Sequence, residues 1–310
     1  MAKRFLFIFS AVAVFCASVR AQDTKVSVKK GVPYCQAQIP GREKVRELCF
    51  DFYEPAGTCG DTLRPLVITV FGGGFVLGSR DHEDMVHWGN SLARKGFAIA
   101  SIDYRLIPVG KFAAKELVRA GYMAAQDVSA AVRFFKAHAR EYRIDTNRIY
   151  LLGQSAGAVA ALHALYLDED ERPAVTFESP ELSPLHSQGA PESLSETFGV
   201  AGAVLLWGCI FSPEIIDPEE NTPVCLIHGG RDKILPVDSG YAFSQPKLPY
   251  VYGSKAIAGR IRQLHPDGCE LHVFDDEPHA LFFKFLYMFV LDKEKFDRCF
   301  QIATDFMERH

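Results

Sequence analysis

The amino-acid sequence predicts an α/β domain, a mostly parallel central sheet with helices on both faces. Three observations carry that expectation. Apolar runs of strand length recur along the chain, stretches of helical periodicity separate them, and glycine-bearing segments fall where strand-like runs end. Strand–helix alternation of this kind implies parallel strands joined by crossover helices.

Taken in order, the first segment is set apart from the fold. Lys3 and Arg4 precede an apolar run over 5–19, and Val19-Arg20-Ala21 places small residues at the −3 and −1 positions before Gln22. That is the layout of a secretory signal peptide over residues 1–21, leaving a single domain over 22–310. Fifteen apolar residues are few for a membrane span, and Phe15 is bulky for a lipid anchor through Cys16. Strand-like runs then follow at 48–53, 66–71, 97–102, 149–152, 203–207, 224–227 and 271–274. Helical patterns cover 115–142, 156–166, 254–264 and 284–309, and there are no internal repeats. Residues 168–199 break the rhythm with four prolines, eight acidic residues and one basic residue. This segment is expected to be a surface insertion near the active site, lining substrate pockets together with residues 75–88.

Composition adds limits. With 310 residues, 48% hydrophobic residues and 24 Phe, the chain can bury a large aromatic core. The net charge of −4, or −7 without residues 1–21, gives no footprint for nucleic acid or an anionic membrane. Seven cysteines remain after residue 21, and no Cys-x-x-Cys pair points to structural zinc. Cys225 sits in an apolar run as a small hydrophobe, whereas Cys35, Cys49 and Cys59 are close enough in sequence to contain one disulfide of unassigned pairing.

The chemistry-bearing residues lie at strand ends. Residues 149–152 lead into Gly153-Gln154-Ser155-Ala156-Gly157 and then an Ala-rich helix. A Gly-x-Ser-x-Gly between strand and helix is a nucleophile elbow, which thrusts the serine hydroxyl outward above a helix N-terminus. Gly72-Gly73-Gly74 follows the strand at 66–71, so its backbone N–H groups can approach an oxyanion without Cβ obstruction. Asp232, in His228-Gly229-Gly230-Arg231-Asp232, comes 77 residues after Ser155; His279 comes 47 later, both after strands. A serine, a carboxylate and an imidazole, each just past a strand, make Ser155, Asp232 and His279 the candidate triad. Asp238 is the rival acid, with a helix cap as its alternative role.

Phe71-Gly-Gly-Gly-Phe75, Asp103-Tyr-Arg-Leu106, Gly153-Gln-Ser-Ala-Gly157, His228-Gly-Gly-Arg-Asp232 and Pro278-His279 together resemble the esterase and lipase group of the α/β-hydrolase fold. That group includes hormone-sensitive-lipase-like and feruloyl-esterase-like carboxylesterases. The resemblance implies an oxyanion hole from the N–H groups of Gly73, Gly74 and Ala156, and structural, loop-fixing roles for Asp103 and Arg105. Phe71 departs from it: many members have a loop-ordering His there, so another group must hold the glycine loop.

Other polar residues take simpler readings. His228 orders the turn before Asp232, and His163 packs within its helix. Asp81, His82, Glu83, Asp84 and His87 form the acidic start of a helix rather than a metal cluster, since a spacing of five separates the two imidazoles. The expected reaction is ester hydrolysis through an acyl-enzyme, without metal or organic cofactor, in a secreted or periplasmic protein. Short-acyl esters, including acetyl or feruloyl esters of polysaccharide, are the expected substrates. The alternatives are a lipase for longer chains, a serine peptidase of the same fold, or an inactive binding protein.

Overall fold

A computed structural model describes residues 25–41, 45–57, 62–189, 191–284 and 287–310. The expected signal peptide, residues 1–21, and Cys59 lie outside these. Element order is β1 (Val26–Gln38), β2 (Val45–Pro55), β3 (Arg64–Val70), α1 (Glu83–Arg94), β4 (Ala98–Ile102), α2 (Ala114–Ala137), a single turn α3 (Ala139–Tyr142), β5 (Ile144–Gln154) and α4 (Ala156–Tyr166). It continues with β6 (Gly202–Leu206), β7 (Cys209–Ile210), β8 (Val224–Gly229), β9 (Ser239–Tyr241), β10 (Tyr250–Gly253), α5 (Ser254–Leu264), β11 (Cys269–Phe274), β12 (Phe283–Lys284), β13 (Tyr287–Leu291) and α6 (Lys293–Arg309).

Eight strands form the central sheet in the order β1-β2-β4-β3-β5-β6-β8-β11. Only the pairings that β2 makes, with β1 and β4, are antiparallel; all others are parallel. Strands β3 to β8 are buried along most of their length, as expected of a sheet covered on both faces. On one face α2 brings Phe134 and Phe135 against Phe50 and Phe52, which are two residues apart and therefore point the same way. On the other, Trp88 of α1 packs on Phe296 and Phe300 of α6. After β3 the chain first adds β4 on one side and then crosses to β5 on the other. That reversal opens a crevice at the C-terminal ends of β3 and β5, where open α/β sheets bind ligands.

Several expectations are corrected. The helical pattern at 284–309 begins only at Lys293, because β12 (Phe283–Lys284) and β13 (Tyr287–Leu291) pair antiparallel before it; Asp292 then caps α6, its Oδ1 accepting from Lys295 N at 3.4 Å. The pattern at 115–142 ends at Ala137, followed by α3 and a left-handed Arg143 (φ 53°). Cys35 and Cys49 are both free thiols, so the expected disulfide does not join them. In the β1–β2 register Cys35 opposes Leu48, the neighbour of Cys49, and successive residues of a strand point to opposite faces. Asp238 caps no helix. Its carbonyl accepts from Gly253 N at 2.6 Å, in the loop leading into β9.

The 168–199 insertion is held in place by side chains of one helix. It runs along α2 as a strap: Arg119 donates to Val175, Glu178 and Pro180 carbonyls, Gln126 to those of Ser183 and Pro184, and Lys136 to that of Thr197. Among the described residues none of its hydrogen bonds or ring contacts reaches Ser155, His279 or the glycine loop. Its prolines prevent a continuous α-helix and leave short 3₁₀ turns at Ala174–Thr176 and Pro191–Ser193, while several of its carbonyls are satisfied by α2 side chains.

Candidate active site

Ser155 stands between β5 and α4 with φ 50° and ψ −120°, a backbone state that costs a non-glycine residue on the order of 1–3 kcal/mol. The surroundings impose it. Ser155 N donates to Leu206 O at 2.9 Å, tying the turn to the end of β6. Gly157 lets α4 start hard against β3: a Cβ there would lie 2.2 Å from Val70 O and 2.6 Å from Phe71 O. Gln154, 2% exposed, anchors the turn to α1, its amide N donating to Asp84 Oδ2 at 2.9 Å and its amide O accepting from Trp88 Nε1 at 2.8 Å.

Ser155 Oγ lies 2.9 Å from His279 Nε2, and His279 Nδ1 lies 2.6 Å from Asp232 Oδ2. A carboxylate at Nδ1 requires the proton there, which leaves Nε2 free to accept from the serine hydroxyl. Asp232 is 8% exposed. Burial alone would raise its carboxyl, but hydrogen bonds from His228 and His279 outweigh that and hold it well below the usual carboxylate range. Its Oδ1 accepts from Ile234 N at 2.8 Å and Leu235 N at 2.9 Å. The rival Asp238 has no bond to His279.

The glycine loop lies beside the elbow: a Cβ on Gly72 would sit 3.1 Å from Ser155 Cβ. The N–H groups of Gly73, Gly74 and Ala156 donate to no protein acceptor among the described residues. Three unpaired N–H donors near a serine hydroxyl can receive the negative oxygen of a tetrahedral intermediate.

What replaces histidine in ordering this loop is Tyr104. Its ring stacks on Phe71 (centroids 4.3 Å apart, planes at 24°), and its hydroxyl donates to Phe71 O at 3.0 Å. Sequence reasoning missed Tyr104, although it stands inside the quoted Asp103-Tyr-Arg segment. The flanking residues are structural: Asp103 accepts from Arg80 NH1 at 2.6 Å, and Arg105 makes a buried pair with Asp127 at 2.7 Å. The 81–87 segment splits, His82 Nδ1 facing Asp84 Oδ1 at 2.5 Å and the His87 ring meeting Phe296. His163 is buried with Nδ1 on Val159 O at 2.7 Å, and burial pulls its imidazole down to about 4. Cys225, Glu270 and His272 bring possible ligand atoms within 4.8 Å of one another. Glu270 is already engaged there by Arg309 and His272, and burial pushes the Cys225 thiol up, away from the thiolate a metal needs.

This fold and this site define an α/β-hydrolase with a serine–histidine–aspartate constellation at its elbow. The chain belongs to the BD-FAE family, whose profile matches residues 50–204, half of its length. It is 27% identical over 227 residues to an isoprenylcysteine alpha-carbonyl methylesterase of Arabidopsis thaliana, covering 63% of this chain and 48% of that one. An acetyl esterase of Salmonella paratyphi B is 35% identical over 117 residues, 37% of this chain and 32% of that one. The chain thus spans about half or less of the length of these curated relatives. Among solved structures, butyrate-bound esterase 2 of Thermogutta terrifontis superposes with a TM-score of 0.61 at 17% identity, covering 89% of this chain and 94% of that one. A likeness at that identity concerns the fold.

Proposed function

We propose that the protein is an exported carboxylesterase that works through an acyl-enzyme on Ser155. The observation that carries this reading is the continuous chain from Ser155 Oγ to His279 Nε2 (2.9 Å) and from His279 Nδ1 to Asp232 Oδ2 (2.6 Å) beside free N–H donors. Ser155 attacks the ester carbonyl as His279 takes its proton; Gly73, Gly74 and Ala156 hold the oxyanion; the alcohol leaves with the proton from His279. Water enters through the same base and releases the acid, while Asp232 holds the imidazole tautomer and stabilises its charged form.

Short-acyl esters are the proposed substrate class, with acetyl or feruloyl esters of polysaccharide as its environmental form. The name of the Salmonella acetyl esterase supports short chains. The eight acidic residues and four prolines of 168–199 support them too, since they leave no broad apolar helical face to serve as a lid. Export rests on residues 1–21. No described helix is long and apolar enough to cross a membrane.

The test is a panel of soluble p-nitrophenyl esters from acetate to decanoate, methyl ferulate and a peptide anilide, run beside Ser155→Ala. The expectation is kcat/KM highest at two to four carbons, roughly, without the climb that ~0.8 kcal/mol per buried methylene would give. Ser155→Ala should lose at least about 10³-fold. A maximum at eight carbons or beyond moves the reading to lipase, preferential anilide cleavage moves it to peptidase, and a Ser155→Ala variant with a tenth of the rate removes the elbow from the mechanism.

A further inference from the structure

Asp232 receives more than the mechanism above asks of it. Its Oδ2 accepts from His279 Nδ1 at 2.6 Å and lies 3.1 Å from His228 Nε2, so two imidazoles converge on one oxygen. With Ile234 N and Leu235 N on Oδ1, the four lone-pair sites of the carboxylate are filled. His228 Nε2 also lies 3.0 Å from Leu235 O. Both of its neighbours only accept, so Nε2 carries the proton, and Nδ1 is left to accept from Ser254 Oγ at 2.7 Å. Ser254 opens α5. His228 is 0% exposed and Ser254 1%, so bulk solvent does not compete for these bonds.

We propose that His228 is a positioning residue for proton transfer, the inner member of a chain that runs Ser254–His228–Asp232–His279–Ser155. Its N–H fixes which carboxylate oxygen faces His279. Ser254 fixes the tautomer that makes His228 a donor. A histidine that merely packed the turn would need neither a ring nitrogen on the shared oxygen nor a hydroxyl behind it. The effect belongs to the moment when His279 holds the Ser155 proton, because a carboxylate free to tilt stabilises the imidazolium less. This inference rests on the esterase reading.

Three variants test it: His228→Met removes the donor at similar volume, His228→Gln restores an N–H near the Nε2 position, and Ser254→Ala removes only the tautomer-fixing hydroxyl. Measurements on each are kcat, KM, the rate of Ser155 labelling by a fluorophosphonate, melting temperature, and the far-downfield proton resonance of the His279–Asp232 hydrogen bond. His228→Met should lower kcat and the labelling rate together by about tenfold to a hundredfold, with KM within about twofold. The downfield resonance should move, and His228→Gln should recover most of the loss. A folded His228→Met with kcat within about threefold of wild type overturns the proposal, as does a Gln variant no better than Met, which would mean shape rather than donation. Should His228→Met not fold, Ser254→Ala decides: a reduced kcat and a shifted resonance support the chain, and no change in either refutes it. Failure of the esterase reading shows separately, as a wild-type protein that neither hydrolyses esters nor labels, and the resonance in the resting protein still reports on His228.

Discussion

Removing one hydroxyl from the glycine loop's support separates loop order from general stability. In Tyr104→Phe the stack on Phe71, 4.3 Å between centroids, is kept, and only the 3.0 Å bond to Phe71 O is lost. Tyr104 is 0% exposed, so no solvent replaces that bond; leaving a buried carbonyl without its donor costs about 1–3 kcal/mol of stability. Catalysis should suffer by a different route. The Phe71 carbonyl shares a peptide plane with Gly72 N, and the tilt of that plane sets the course of the chain to Gly73 and Gly74. Losing an oxyanion donor outright costs about 10²–10³ in kcat. A loosened pair should cost less, roughly tenfold, equivalent to about 1.4 kcal/mol.

The assay is kcat and KM on p-nitrophenyl acetate with a thermal melt, beside Tyr122→Phe as control. Tyr122 is equally buried and donates to Ser183 O at 3.2 Å, but against the 168–199 strap. Both variants should melt a few degrees lower, and only Tyr104→Phe should lose kcat, with KM unchanged. Equal kcat in the two variants would refute the assignment of Tyr104 as the group that orders the loop.

Three other substitutions have outcomes set by their surroundings. Asp232→Asn should lower kcat by about 10⁴ through the wrong His279 tautomer, while Asp238→Asn should stay within about threefold; steady-state rates in the opposite order would transfer the role of acid. Burial and the nearby charges of Asp168, Glu171 and Asp217 push the Glu220 carboxyl up to about 8, against the opposing Asp217 backbone N–H. Between its ordinary 4.5 and about 8 the folded state keeps a proton that the unfolded chain has lost, so stability falls as pH rises through that window. Glu220→Gln should therefore melt like wild type near pH 4, roughly, and higher near pH 9; a difference independent of pH would contradict the shift.

Elements with strong local signals were legible in the sequence. The helices at 156–166 and 254–264 coincide with α4 and α5, because each follows directly from a strand through a sharp turn. What escaped was structure whose cause is nonlocal. β1 carries Lys29, Lys30, Gly31 and Pro33 and two register shifts, the makeup of a protected sheet edge, and its alternation is broken accordingly. Apart from Lys284 the stretch 283–291 is apolar, so helical and strand periods fit it equally until the Asp292 cap fixes where α6 starts. At the site, Ser155, Asp232 and His279 were nameable from motif and order, and the structure brings them within hydrogen-bonding reach of one another. Tyr104 was not, and His228 was legible only as a residue that orders the turn before Asp232, since what each touches is a buried atom brought there by the fold.

The sheet order explains why residues so distant in sequence meet, and it sets a problem that the glycines solve. Neighbouring strands are about 4.8 Å apart, so β8 and β11, two and three strands from β5, begin their loops roughly 10 and 14 Å from the elbow. His279 comes from the more distant of the two and must reach back past β8. It does so because the loop after β11 lies down on the turn after β8. Gly230 N donates to Phe274 O at 2.9 Å and Arg231 N to Glu277 O at 2.9 Å. The contact is closest at Gly229, where a Cβ would stand 2.3 Å from Pro278 O and 2.4 Å from Glu277 O. Any side chain at Gly229 would lift the base loop, and His279 with it, away from Ser155. The two glycines of His228-Gly229-Gly230 therefore belong to the base as much as to the acid: they let β11's histidine cross the end of β8, where Asp232 meets it on the way.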